Sequence, residues 1–267
     1  MLVIKYDGLD AENHRLDAQT GSESLDGFGH ALTLIGHYAA TGSVRFRAPY
    51  SDDVRFFFTA NREGSLEWLL ETAISHPGGV AFGLSAEGIS ALAMYVLTRT
   101  IGGEPAAELK EIETLAGAKQ GDLEALIEAV EPALKRAHRT IGVSAATISL
   151  IDTRAGGDGV LFDESSKHYL ENDLDGGSDT QDVSIGALNV NSRYGRAYFS
   201  DLGRTVPFRV DREASPRTMT ELSRALDDYA KRNGVTVSIT FRRIMSSDDR
   251  LKRVVIYDAQ HLKGDEL

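Results

Sequence analysis

Along this chain the apolar positions change period several times, and each change marks an element. The run "LVIKY" (2–6) reads as a strand. In the stretch ending at Gly42, Leu25, Phe28, Leu32, Ile35 and Ala39 recur at helical spacing. That predicts an amphipathic helix, capped by Ser22 or Ser24 and ended by Gly42. Short extended segments follow, "SVRFRA" (43–48) and "DVRFFFTA" (53–60). "GSLEWLLETAI" (64–74) fits either type and is read as a third strand, because a turn and two strands precede it. Residues 78–103 form an apolar segment bracketed by paired glycines and read as one helix. Two more helices are predicted over 108–117 and 122–142. In the latter, Leu123, Leu126, Ile127, Val130 and Leu134 line one side and Pro132 introduces a kink. A hairpin at 145–152 and 159–163 and a helical turn at 164–172 close this part.

Beyond residue 182 the period drops to two. Strands are predicted at 183–191, 195–201, 204–210, 234–244 and 252–259, with an amphipathic helix at 216–233. In "GVTVSITFRRI", Val235, Val237, Ile239 and Phe241 face one way and Thr236, Ser238 and Thr240 the other. Five strands and one helix in so short a segment predict a small barrel of the OB or SH3-like kind. Between the two patterns lies "ENDLDGGSDTQD" (171–182), whose only large apolar residue is Leu174. It reads as a linker. The expected architecture is α+β: an acidic α+β domain over 1–172 with a glycine-bounded apolar helix, a linker at 173–182, a barrel at 183–262 and an acidic tail at 263–267.

Charge sharpens this division. Residues 1–181 carry a net −14 and residues 182–267 a net +3, together the chain's −11. An asymmetry of this kind points to two bodies facing different environments. The chain has no cysteine, which removes disulfides, thiolate ligands and cysteine nucleophiles and suits a reducing, cytoplasmic setting. The first residues lack the basic and apolar regions of a signal peptide.

Three groups of residues are candidates for function. The first is "SRYGRAYFSDLGRTVPFRV", where Arg193, Tyr194, Arg196, Tyr198, Arg204 and Arg209 cluster. Small barrels bind single strands with cationic grooves and aromatic platforms. A net +3 is a small basic footprint for that, so a protein contact or plain solvation is the first reading and a nucleic-acid-binding barrel the alternative. The second is Asp26, His30, Thr33 and His37, a stripe on the first helix. Histidines seven apart are ~10 Å apart along a helix axis, too far for one metal. The stripe reads as a solvated face, with Asp26, His30 and His37 as the alternative centre of an enzyme built from distant residues. The third is the small-residue stripe Gly83, Ala86, Ser90 and Ala93 on the glycine-bounded helix, which reads as a buried core or oligomer-interface helix, these four residues being its interface candidates. Glu87 and Arg99 interrupt this helix and argue against a membrane span.

Phosphate loops, nucleophile elbows and metal-protease motifs are absent from the sequence. No cofactor and no metal are expected. The elements "HRLDAQTGSESLDGFGHAL", "EGSLEW" and "GALNVNSRYGRAYF…GRTVPFRV" together resemble those of uncharacterised bacterial two-domain proteins that end in a small β-barrel. The resemblance implies a bacterial or mobile-element setting but no activity and no catalytic residue. The expectation is a non-catalytic binding or assembly protein, self-associating through its first domain and contacting a protein partner through the barrel.

Overall fold

The computed structural model describes residues 1–59, 66–76, 78, 80–105, 112, 114–115, 119–154, 159–231 and 236–261. The predicted helix at 108–117 falls mostly outside them. The chain forms two compact units. One comprises Met1–Gly117 and Leu126–Glu171, the other Ala118–Ala125 and Asn172–Leu267.

The first unit holds strands β1 (Leu2–Asp7), β2 (Val54–Thr59), β3 (Glu67–Ile74), β4 (Thr147–Asp152) and β5 (Val160–Phe162). Its helices are α1 (Ala18–Thr41), α2 (Ala86–Thr100), the part of α3 (Gln120–Ala137) from Leu126 onward, and α4 (Glu164–Glu171). The strands form an antiparallel sheet in the order β2-β3-β1-β4-β5. Period-two alternation sends Leu2, Ile4, Tyr6, Val54, Leu70, Ile148, Leu150, Val160 and Phe162 into the core. Helix α1 packs over this face, with Gly36 against Val54 and Phe56.

The cap of helix α1 lies five residues before Ser22, the nearer of its two predicted caps. Asp17 is the cap and accepts the Thr20 N–H at 2.9 Å. Ser24, one of the two predicted caps, is instead buried in the core. It donates to the Ala137 carbonyl at 2.7 Å, so the Tyr6 hydroxyl at 3.0 Å donates to it. Gly42 ends the helix at φ 70°, as predicted. Gly27 is where α1 and α3 touch: a Cβ there would lie 2.5 Å from the Ala137 nitrogen.

Three local expectations are corrected. Residues 43–48 are not a strand; they are largely exposed and, among the described residues, no strand pairs with them, so alternation had no ladder to join. The glycine-bounded segment is not one helix from 78 to 103. Ser85 caps α2, its Oγ accepting the Gly88 N–H at 3.2 Å, and Phe82 just before it has φ 65°. Helix α3 runs through Pro132 as one element, the proline lying exposed on it.

The second unit holds β6 (Leu174–Asn189), β7 (Tyr194–Phe199), β8 (Arg204–Val210), β9 (Val237–Met245), β10 (Leu251–His261) and α5 (Pro216–Ala230). Its strands close into a ring, β6-β7-β8-β10-β9 and back to β6. In their own sequence this order is 1-2-3-5-4, with one parallel pair, β8–β10, and a helix between the third and fourth strands. Of the two small-barrel types expected, this is the Greek-key order of the OB type. Val183, Ile185, Ala197, Phe199, Val206, Phe208, Val237, Ile239, Phe241, Val254 and Ile256 fill the interior, closed off by Leu222 and Ala225 of α5.

The linker is the largest correction. Residues 174–182 are the first half of β6 and pair with β9 from Leu174↔Met245 to Asp182↔Ser238. Backbone ladder bonds need no apolar side chain, and the acidic residues meet cations on the neighbouring strand. Arg243 donates to Asp179 at 2.7 Å, and Arg242 lies 3.8 Å from Asp175.

Candidate functional site

OB-type barrels present their ligand face on the second and third strands, flanked by the loop joining strands one and two and the loop joining four and five. Here those are β7 and β8, with residues 190–193 and 246–250 as the loops. With Ala197, Phe199, Val206 and Phe208 turned inward, alternation turns Tyr194, Arg196 and Tyr198 outward on β7 and Thr205, Pro207 and Arg209 outward on β8. The register sets Tyr194 opposite Arg209, Arg196 opposite Pro207 and Tyr198 opposite Thr205. Four of the six residues picked out in the sequence, Tyr194, Arg196, Tyr198 and Arg209, therefore share this face; Arg204 opens β8 on the other parity and Arg193 lies in the loop before β7.

Part of this face is already occupied from within the unit. Residues 119–125, which carry the first turns of α3, lie against the β6–β7 hairpin. A Cβ on Gly121 would sit 2.7 Å from the Tyr194 carbonyl oxygen and 2.9 Å from the Asn189 nitrogen. Only glycine permits that approach. Asp122 accepts from Asn189 Nδ2 at 2.5 Å, and burial raises its carboxyl above the usual range. Glu124, 6% exposed, accepts from Arg196 Nη1 at 3.0 Å. The central arginine of the face is thus held in a largely buried ion pair.

The remaining arginines are spread around the rim. Arg193 has φ 67° and donates to the Arg212 carbonyl at 3.2 Å, while Arg204 donates to the Leu251 carbonyl at 3.3 Å. Arg209 lines an open depression of about 440 Å³ with Asp211, Arg212, Glu213 and Tyr257. Tyr198 is 45% exposed, and Leu202 of the β7–β8 turn is 43% exposed. What stays open is an aromatic and aliphatic rim with arginines at its margin.

The helix stripe in the first unit is less simple than a solvated face. His37 is buried: the Ser51 N–H donates to its Nδ1 at 2.8 Å, and its Nε2 lies 3.4 Å from Thr41 Oγ1. Arg136 donates to His30 Nδ1 at 2.8 Å and, through Nε, to Asp26 at 3.1 Å. A guanidinium only donates, so the His30 proton is on Nε2, facing the Tyr50 hydroxyl at 3.3 Å. Both imidazoles are held below the ordinary histidine pKa, chiefly by desolvation, with the charge of Arg136 acting on His30 and that of Arg45 on His37. Tyr50 stands between them, with ring centroids 6.0 and 5.9 Å away. Asp26, His30, Thr33 and Tyr50 line an open depression of about 520 Å³ with Leu25, Gly29 and Phe58.

The family described as domain of unknown function DUF7946 matches residues 2–171. The chain belongs to this family. Residues 178–260 match a second family, described as family of unknown function DUF7947. No curated protein and no solved structure matches the chain.

The DUF7946 region contains the Asp26–Arg136–His30–Tyr50 cluster. Of this chain of contacts the sequence exposed only the two members on one helix, because Tyr50 and Arg136 reach it across turns that no spacing rule links. It also contains the small-residue stripe, on the helix read as buried core or oligomer interface. Ser90 and Ala93 are 1% and 0% exposed in the single chain, so neither has surface to offer a second copy. Gly83 lies outside α2, and Ala86 opens its first turn. Among the described residues no helix is long and apolar enough to cross a membrane, and no group of three or more histidine, aspartate or glutamate side chains is placed to hold a metal ion.

Proposed function

We propose that this DUF7946 protein is a non-catalytic binding and assembly protein of the bacterial cytoplasm. Its barrel contacts a protein partner through the outer β7–β8 face, and its first domain self-associates. The observation that carries the partner class is the Arg196–Glu124 pair: the central cation of the face is already neutralised by a buried carboxylate. A polyanion would find the rim arginines but not a continuous cationic track. Exposed tyrosine and arginine side chains are residue types that anchor protein interfaces, and Tyr198 on the face and Arg204 at its rim supply them, beside exposed Leu202. The absence of cysteine supports the compartment.

A photo-crosslinking amino acid at position 198, with one at exposed Tyr229 as control, tests this in the native host. The expected result is a discrete crosslinked protein at 198, lost when Leu202→Asp is added. Diffuse labelling equal at both positions argues against the face. Fluorescence anisotropy with single-stranded oligonucleotides is expected to show no salt-sensitive binding; binding that falls steeply with salt and weakens on Tyr198→Ala moves the proposal to nucleic acid.

A second reading, an enzyme centred on the first domain, draws support from the Arg136–His30–Tyr50 chain, which fixes one tautomer and leaves the Tyr50 hydroxyl proton free to point into the depression. Retention of the cellular phenotype by a folded His30→Ala, His37→Ala variant rules it out.

A further inference from the structure

The first unit's sheet ends in two edge strands that differ in kind. The β5 edge has three residues and is followed at once by α4. Such brevity is one of the ordinary protections against edge-to-edge pairing. The β2 edge has six residues, "VRFFFT", with no lysine, no proline and no bulge in its register with β3. It carries three consecutive phenylalanines, of which Phe57 is 47% and Phe58 39% exposed.

The ladder fixes which backbone groups of β2 are open. The Ser75 N–H donates to the Asp53 carbonyl, so with the antiparallel register Arg55, Phe57 and Thr59 exchange hydrogen bonds with β3. The N–H and C=O groups of Phe56 and Phe58 therefore point away from the sheet. Among the described residues no backbone hydrogen bond to another segment is recorded for them.

We propose that this edge pairs antiparallel with the same strand of a second copy, joining two five-stranded sheets into one of ten. The proposal rests on self-association through the first domain and names its surface. The occupant follows from self-complementarity. A two-fold axis at Phe57 sets Phe57 opposite its own counterpart in a non-hydrogen-bonded pair. It sets Phe56 opposite Phe58 in hydrogen-bonded pairs, and Arg55 opposite Thr59. Every pair then has its two side chains on one face of the joined sheet, as pleating requires. Aromatic cross-strand pairs are favourable, and the one charged side chain of the strand, Arg55, meets a hydroxyl rather than a second cation. The pairing uses the open groups of Phe56 and Phe58 and covers the exposed Phe57 and Phe58 rings.

The cysteine-free chain makes the test direct. In a non-hydrogen-bonded antiparallel pair the facing Cα atoms are ~4.5 Å apart, within disulfide range. The full-length Phe57→Cys variant is expected to form a disulfide-linked dimer as its main product under mild oxidation. Arg55→Cys, whose counterparts lie far apart across the axis, is expected to stay largely unlinked. Sedimentation equilibrium at micromolar concentration is expected to give a dimer for the native chain and a monomer for Phe57→Lys, with an unchanged circular dichroism spectrum because Phe57 is exposed. A native monomer overturns both the self-association reading and this surface. A native dimer that survives Phe57→Lys, or that links no better at position 57 than at 55, overturns the surface and leaves self-association to be sought elsewhere.

Discussion

The most strongly shifted histidine is one that no sequence pattern singled out. His138 is 1% exposed and donates through Nδ1 to the Leu134 carbonyl at 2.7 Å, with Nε2 3.0 Å from Ser166 Oγ. Burial pushes its pKa down to about 4. Between pH 6.5 and about 4 the unfolded chain carries a proton here that the folded chain does not. Stability therefore falls on acidification through that window, by on the order of 3 kcal/mol. NMR titration of the imidazole should give a midpoint near 4; a midpoint at the ordinary histidine value would show that the site opens to water. Glycines make the second residue-scale prediction. Gly27→Ala gains about 1 kcal/mol of helix propensity but drives a methyl against the Ala137 backbone, and Gly121→Ala does the same against Tyr194 and Asn189. Against an overpacking cost of about 1–3 kcal/mol, each is expected to lower stability by up to about 2 kcal/mol net in urea denaturation. Neither effect is visible in the sequence, where glycine inside a helix reads only as a weak position.

At the scale of elements, the core strands and long helices were legible because periodicity reports directly on a buried face. Leu25, Phe28, Leu32, Ile35 and Ala39 gave α1, and Val237, Ile239 and Phe241 gave β9. Elements without a buried face were not. Residues 174–182 read as a linker because their side chains are polar, yet their backbone is laddered to β9. Hydrogen exchange should find Ser178–Asp182 amides protected in alternation, as one edge of β6 faces β9; uniformly fast exchange would restore the linker. The converse failure is residues 43–48, where alternation was present and the partner strand was not. The Arg196–Glu124 pair joins two elements of the second unit. Glu124→Leu alone is expected to cost about 3–5 kcal/mol, by taking the buried carboxylate away from Arg196, and the double substitution with Arg196→Met less than the sum of the two single costs. Additive costs in the cycle would mean the pair is solvated.

For the whole molecule, the family boundaries and the folded units differ in an instructive way. The DUF7947 match begins at residue 178, whereas β6 begins at Leu174 and the second unit also includes Ala118–Ala125. A fragment spanning 178–260 is therefore expected to melt lower than the barrel in the full chain, by thermal circular dichroism. Equal melting would make residues 118–125 dispensable to the unit. The amino-acid order by itself determined the α+β character, the barrel and the position of its arginines, because hydrophobic period and charge are local properties. Tertiary structure alone decided that Glu124 neutralises Arg196, that Tyr50 joins two histidines and that Ser90 and Ala93 are core. Each of those depends on which distant backbone passes within a few ångströms, and no local period encodes that.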